Sequence, residues 1–139
     1  MASFRDFKKR HIASLKENGE GQFCTNKIRE RHINTKGPCK ECNTFIFAPD
    51  NSIIQVCRNE GVKISNTTLY KTTLYKSKKQ FRIVHCISKK KNHSYPSCIY
   101  KPSKTNHLMY IIVACDNKLP VHFEGSDSNP PPFGITGRV

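Results

Sequence analysis

The segment Cys39-Lys40-Glu41-Cys42-Asn43-Thr44-Phe45-Ile46-Phe47 joins two kinds of signal. Its second half, from Asn43 to Phe47, is dense in strand formers. It follows the turn signal Lys36-Gly37-Pro38 and is closed by Pro49-Asp50-Asn51, which predicts a short β-strand. Its first half holds two cysteines at the spacing of half a zinc site, but no second Cys-x-x-Cys or His-x-x-x-His completes four ligands. A covalent reading is stronger. Seven cysteines (Cys24, Cys39, Cys42, Cys57, Cys86, Cys98 and Cys115) in a small basic chain read as three disulfides with one thiol left over, and so as a protein of an oxidising compartment. The residues alone leave the pairing open.

Upstream of this segment, Phe4, Phe7, Ile12 and Leu15 recur at helical spacings, with His11 four residues beyond Phe7 on the same face. They predict an amphipathic helix from Phe4 to about Lys16, ended by Asn18-Gly19-Glu20-Gly21. A second helix is predicted from Phe23 to about Ile33, with Arg29 and Arg31 on a solvated face. Downstream, Ser52 to Arg58 reads as a third helix with Ser52 as its N-cap. Strands are predicted at Gln80–Ile87, Cys98–Tyr100, Tyr110–Cys115 and Val121–Phe123. Helices first and antiparallel strands later make the class α+β.

A chain of 139 residues is one domain, because a second core needs roughly another 100 residues. The expected boundaries are 1–127 for the domain and 128–139 for a flexible tail marked by Pro130-Pro131-Pro132, Gly134 and Gly137. Lys and Arg number 24 against 10 Asp and Glu, a formal net charge of +14. That field points to a polyanionic partner: nucleic acid, an anionic membrane surface or a sulfated, heparin-like glycan. No run of apolar residues reaches a membrane span. The start, Met1-Ala2-Ser3-Phe4-Arg5-Asp6, lacks the apolar core of a signal peptide. With disulfides expected, the chain reads as a mature secreted one whose signal has been removed.

None of the six histidines stands in a metal spacing. Two sit where catalysis is plausible. His11 lies on a helix face among basic neighbours. His122 lies in a short apolar strand with Glu124 two residues on, and strand residues i and i+2 share a face, so Glu124 can fix the His122 tautomer.

Cys39-Lys40-Glu41-Cys42-Asn43-Thr44-Phe45 resembles the Cys-Lys-x-x-Asn-Thr-Phe signature of the pancreatic-type ribonuclease (ribonuclease A) superfamily. It is joined, in the family's order and close to its spacings, by Phe7-x-x-x-His11, Tyr95-Pro96-Ser97-Cys98-Ile99-Tyr100-Lys101, Ile111-Ile112-Val113-Ala114-Cys115 and Pro120-Val121-His122-Phe123-Glu124. The resemblance covers about Phe4 to Ser126. It implies a ribonuclease A-like fold, N-terminal helices packed on a curved antiparallel sheet, with disulfides Cys24–Cys86, Cys39–Cys98 and Cys57–Cys115 and a cis Tyr95–Pro96 bond. The fourth disulfide of the pancreatic enzymes is absent and the segment from Cys115 to His122 is short. In both respects the chain is similar to angiogenins and to fish ribonucleases. Cys42 departs from the pattern as an extra thiol, free, capped or a dimerising handle on an otherwise monomeric protein.

The resemblance further implies a secreted, metal-independent endoribonuclease without cofactor. It would cleave single-stranded RNA 3′ of pyrimidines through a 2′,3′-cyclic phosphate, with angiogenic or bactericidal activity. His11 is then the general base, His122 the general acid and Lys40 the cation that stabilises the transition state. Arg10, Asn43, Thr44, Phe123 and Glu124 would bind substrate, Thr44 and Phe123 through the base. Arg10 stands where the family usually has Gln, and Glu124 replaces the usual Asp. His85 occupies a position often held by an Asp that assists the threonine. The competing reading is a cationic host-defence or receptor-binding protein that acts through surface charge, with weak ribonuclease activity.

Overall fold

The computed structural model describes residues 3–67 and 72–132. Its elements are α1 (Phe4–His11), β1 (Ile12–Ala13), α2 (Phe23–Glu30), β2 (Cys42–Phe47), α3 (Asp50–Ile54), β3 (Gly61–Thr67), β4 (Thr72–Ser77), β5 (Phe81–Ser88), β6 (Tyr100–Asp116) and β7 (Leu119–Asp127), with a 3₁₀ turn at Gln55–Cys57. The sheet runs β1-β2-β5-β6-β4-β3, and β7 pairs with β6. Apart from the two-residue parallel pairing of β1 with β2, the ladders among the described residues are antiparallel. The class is α+β, as the order of elements predicts.

Strand β2 explains why one short segment organises so much of the chain. Asn43 to Phe47 are buried at every position, because both faces of the strand are covered. Ile46 joins Phe7, Ile53, Val56, Ile83, Ile111 and Val113 in one core. Phe45 and Phe47 point the other way and join Cys24, Ile28, Val84, Cys86 and Tyr100 in a second. The first core fixes α1 and the second fixes α2, so the central strands are sandwiched between helices whose positions they set.

The three disulfides pair as the resemblance implies: Cys24–Cys86, Cys39–Cys98 and Cys57–Cys115. They tie α2 to β5, the loop before β2 to the loop before β6, and the 3₁₀ turn to β6. With separations of 62, 59 and 58 residues, each removes about 4 kcal/mol of chain entropy from the unfolded state in the loop-closure account. Cys42 is a free, exposed thiol. The Tyr95–Pro96 bond is cis.

Several boundaries differ from the sequence-based expectation. Helix α1 stops at His11 rather than near Lys16, because Ile12 and Ala13 leave the helix to pair with Ile46 and Phe47. Leu15, expected on the apolar helix face, is 58% exposed. Helix α3 begins at Asp50 with Pro49 as its N-cap, so Ser52 lies inside it. Of the strand expected at Cys98–Tyr100 only Tyr100 is in a strand, because Cys98 and Ile99 belong to the preceding loop; it opens one long stretch, Tyr100 to Asp116, that also contains the strand expected at Tyr110–Cys115. Strands β3 and β4 were not expected. Gly61 opens β3 where a Cβ would run into the Val56 carbonyl. The short Cys115–His122 connection is a two-residue hairpin: Asn117 and Lys118 both take positive φ, 55° and 64°, as a type I′ turn requires. The expected tail falls mostly on residues 133–139, outside the described residues.

Candidate active site

Helix α1 carries Arg10 and His11 in its last turn, and its burial is set by Phe7, 1% exposed, whose ring lies 5.2 Å from that of His11. The helix end is held from outside. Arg31 Nη1 donates to the carbonyls of Lys8 and Lys9 at 3.1 and 2.9 Å, and Nη2 to that of Ile12 at 2.8 Å. A guanidinium on the last carbonyls satisfies acceptors that the helix leaves open and complements its dipole. Arg31, read from sequence as part of a solvated face, is instead the C-terminal clamp of α1.

His11 is buried. Its Nδ1 lies 2.9 Å from the Thr44 carbonyl, which can only accept, so Nδ1 carries the proton and in the neutral ring Nε2 is the lone-pair nitrogen. Burial holds the His11 pKa down to about 4; the Thr44 bond opposes, while the charges of Lys40, Arg10 and His122 push the same way. A neutral imidazole with a defined basic nitrogen is the form a general base needs.

Lys40 precedes β2, and its backbone is fixed by two side chains that are bonded to each other. Its N–H donates to Asn34 Oδ1 at 2.9 Å, and its carbonyl accepts from the Tyr100 hydroxyl at 2.5 Å, which in turn accepts from Asn34 Nδ2 at 3.0 Å. The loop itself is tied to 93–95 by Cys39 N to His93 O and Tyr95 N to Gly37 O, both 2.9 Å. Lys40 Nζ donates to Asn43 Oδ1 at 2.8 Å, and Asn43 Nδ2 donates to the Arg10 carbonyl at 2.8 Å. Asn43, expected to contact substrate, is 3% exposed and spends its amide joining Lys40 to α1. Partial burial and then the Arg10 charge lower the Lys40 pKa, with the Cys42 sulfur opposing.

Thr44 serves two partners. Its carbonyl holds His11, and its Oγ1 lies 2.6 Å from His85 Nδ1 across the β2–β5 ladder. On the opposite wall, His122 and Phe123 are half-buried on β7. The Phe123 ring is 5.4 Å from that of His11. Irregularities in the β6–β7 register lie on both sides of this pair: Cys115 faces Pro120, Ala114 faces His122, Val113 faces Phe123 and Ile112 faces Gly125. Glu124 is the extra residue at the second of them and is exposed. A bulge of this kind breaks strict strand alternation, on which the expected sharing of a face by His122 and Glu124 depends.

A cleft of about 480 Å³ lined by Asp6, Phe7, Arg10, His11, Lys40, Val121, His122 and Phe123 collects the result. Five of the sequence-predicted residues, Arg10, His11, Lys40, His122 and Phe123, thus face one space. Thr44, Asn43 and Glu124 are outside its lining, Thr44 and Asn43 being bonded to His11 and Lys40 within it. Asn34, Tyr100 and Arg31 position the site and were not anticipated in that role. Their bonds to Lys40 and α1 span separations up to 60 residues and leave no local pattern in the sequence.

The sequence profile described as "Pancreatic ribonuclease" matches residues 2–124. A pancreatic ribonuclease of Gerbillus nigeriae is 35% identical over 127 residues, covering 90% of this chain and 81% of that protein. An angiogenin of Equus caballus is 32% identical over 127 residues, covering 91% and 80%. Among solved structures, zebrafish RNase5 superposes with a TM-score of 0.70 at 31% identity, covering 87% of this chain and 91% of its own.

Proposed function

This chain belongs to the pancreatic ribonuclease family and is an endoribonuclease, and on that premise we propose that it cleaves single-stranded RNA 3′ of pyrimidines by transphosphorylation. His11 Nε2 takes the proton of the ribose 2′-hydroxyl. The 2′-oxygen then bonds to phosphorus as the bond from phosphorus to the 5′-oxygen breaks, and His122 delivers a proton to that departing oxygen. Lys40 and Arg10 offset the charge gathering on the phosphoryl oxygens. The product is a 2′,3′-cyclic phosphate, and its hydrolysis runs the two histidine roles in reverse. No step requires a metal ion. The pyrimidine lies with one edge on Thr44 and a face on Phe123.

The observation that carries this reading is the single cleft shared by His11, Lys40 and His122. The three disulfides and the named relatives support an extracellular location. The test is digestion of single-stranded RNA with and without a chelator, followed by analysis of the new 3′ ends. Cyclic phosphates on pyrimidines, insensitive to chelation, are expected. Purine ends, ends without a cyclic intermediate, or loss of cleavage with the chelator would contradict the proposal.

A second activity is favoured by one specific feature. With a net charge of +14, the chain presents Lys89, Lys90 and Lys91 exposed after β5, a surface suited to anionic membranes or sulfated glycans at up to about 1 kcal/mol per basic residue that reaches the lipid. A bactericidal or receptor-binding role would draw on this surface and not on the imidazoles. The His11→Ala/His122→Ala double variant is expected to keep permeabilising anionic vesicles while losing RNA cleavage. A folded double variant that fails to permeabilise would remove this second activity.

A further inference from the structure

Thr44, which the base contact above uses, opens onto a polar cluster whose imidazoles no step above uses. Thr44 of β2 and His85 of β5 are register partners, with Thr44 Oγ1 2.6 Å from His85 Nδ1. The other ring nitrogen, Nε2, lies 3.4 Å from Ser126 Oγ on β7. The His107 ring of β6 is 5.5 Å from the His85 ring. The β5–β6 ladder is irregular on both sides of His85: Ile83 is opposite His107, His85 opposite Lys104 and Cys86 opposite Pro102. Such irregularities re-aim a side chain. Each nitrogen of a half-buried imidazole therefore meets a hydroxyl, and a hydroxyl is the one neutral group here able to reverse its donor and acceptor roles.

We propose that His85 sets which pyrimidine the enzyme prefers through its own protonation state, relayed by the Thr44 hydroxyl. The proposal rests on the reading that Thr44 meets the base. A neutral His85 with its proton on Nε2 accepts the Thr44 hydroxyl proton at Nδ1. The Thr44 oxygen then offers lone pairs outward, which matches the N3–H donor of uracil. In the imidazolium form Nδ1 carries a proton and donates it to the Thr44 oxygen, so the hydroxyl proton turns outward and matches the N3 acceptor of cytosine. Ser126 accepts from Nε2 in both forms. Acidification therefore moves the preference from uracil toward cytosine. His85 acts through Thr44 and is a positioning residue. Among the described residues, the titratable side chain set against it is His107 on β6; β2 and β7 contribute the hydroxyls of Thr44 and Ser126. With a second imidazole 5.5 Å away, the transition belongs to the pair and is read as an apparent one.

The experiment compares kcat/KM for two dinucleotides that differ only in uracil or cytosine at the cleaved position, from pH ~8 to ~5, the range in which imidazoles titrate. Taking the ratio cancels the titrations of His11 and His122, which both substrates share. The uracil-to-cytosine ratio is expected to fall about 2- to 10-fold on acidification, the scale of one hydrogen bond gained or lost, and to be independent of pH in His85→Asn. A wild-type ratio that does not move with pH overturns the proposal without any variant, and so does a slope retained in His85→Asn. Thr44→Val separates this failure from that of the underlying reading. If it abolishes discrimination while the wild-type ratio is flat, Thr44 reads the base and only the His85 relay falls. If it leaves the ratio unchanged, the base reading falls and the relay with it.

Discussion

His11 and His122 line one cleft from supports of different character. His11 ends a helix clamped at its last carbonyls by Arg31, is 8% exposed, and is bonded through Nδ1 to the backbone of β2. His122 is half-buried on β7, between two irregularities of the β6–β7 ladder. On the helix side, burial and nearby cations dictate the protonation state. On the strand side, His122 is half-buried with its Nε2 shielded from solvent, and the backbone departs from ideal pairing. A base must be neutral before substrate arrives, so the buried and more cationic wall suits the base, and the imidazole of the facing wall is left to act as the acid.

The largest test of this contrast is removal of either imidazole. His11→Ala and His122→Ala should each lower kcat/KM for RNA cleavage by roughly 10²–10⁴-fold, the usual worth of a general acid or base. With a substrate whose leaving group needs no proton, such as an activated aryl phosphodiester, only His11→Ala should remain severe. Equal losses on that substrate would break the assignment of acid and base to the two walls.

Stability against pH sharpens the same contrast. His11 falls from 6.5 when unfolded to about 4 when folded, so the unfolded chain binds more protons between those values. Its contribution, on the order of 3 kcal/mol, is fully present above pH 6.5 and is lost as pH falls toward 4. Burial opposes but Lys27 outweighs it in lowering the Glu17 pKa, and Lys76 lowers that of Asp127; their contributions are present above the ordinary carboxylate range and are lost as pH falls from that range toward the lowered folded values. In denaturant unfolding from pH 7 to 5 the slope should therefore flatten in His11→Ala by the share that His11 contributes, any slope that remains belonging to the other histidines. A wild-type stability constant across that window would show that His11 is not held neutral by burial.

Arg31→Ala gives a smaller effect confined to the helix wall. Loss of the clamp should reduce stability by about 1–3 kcal/mol and kcat/KM by about tenfold as His11 shifts. Arg31→Lys should recover only part, because an ammonium cannot span three carbonyls as the guanidinium does. Melting curves and cleavage kinetics check both.

How far the sequence reveals these features follows from the range of each interaction. The strand at Asn43–Phe47, the helix around Phe7 and His11, and the motif residues His11, Lys40 and His122 all carry local signals: period, turn punctuation or a dense signature. The end of α1 does not, because Leu15 continues the helical spacing while the chain departs to pair with Ile46 and Phe47. Strands β3 and β4 are rich in polar side chains, and β4 is defined by its pairing with β6 some 40 positions away. Tyr100 reads as a strand residue, yet its hydroxyl crosses to the Lys40 carbonyl, a contact created only by the tertiary fold. Sequence therefore names the reacting groups and leaves out the groups that hold them, since the former sit in motifs and the latter act across the sheet.

The pH dependence of RNA cyclisation by the intact protein tests the two-wall account most directly. Sequence alone places the optimum near pH ~6, from two ordinary imidazoles. The burial of His11 lowers the acid limb of kcat/KM, which reports the free enzyme, toward pH 4. The acid limb of kcat should lie higher, because a bound phosphate offsets the charges of Lys40 and Arg10 that depress His11. The account predicts a bell in both profiles, with that displacement between their acid limbs and no change on adding a chelator. A monotonic profile, or one abolished by the chelator, would contradict it.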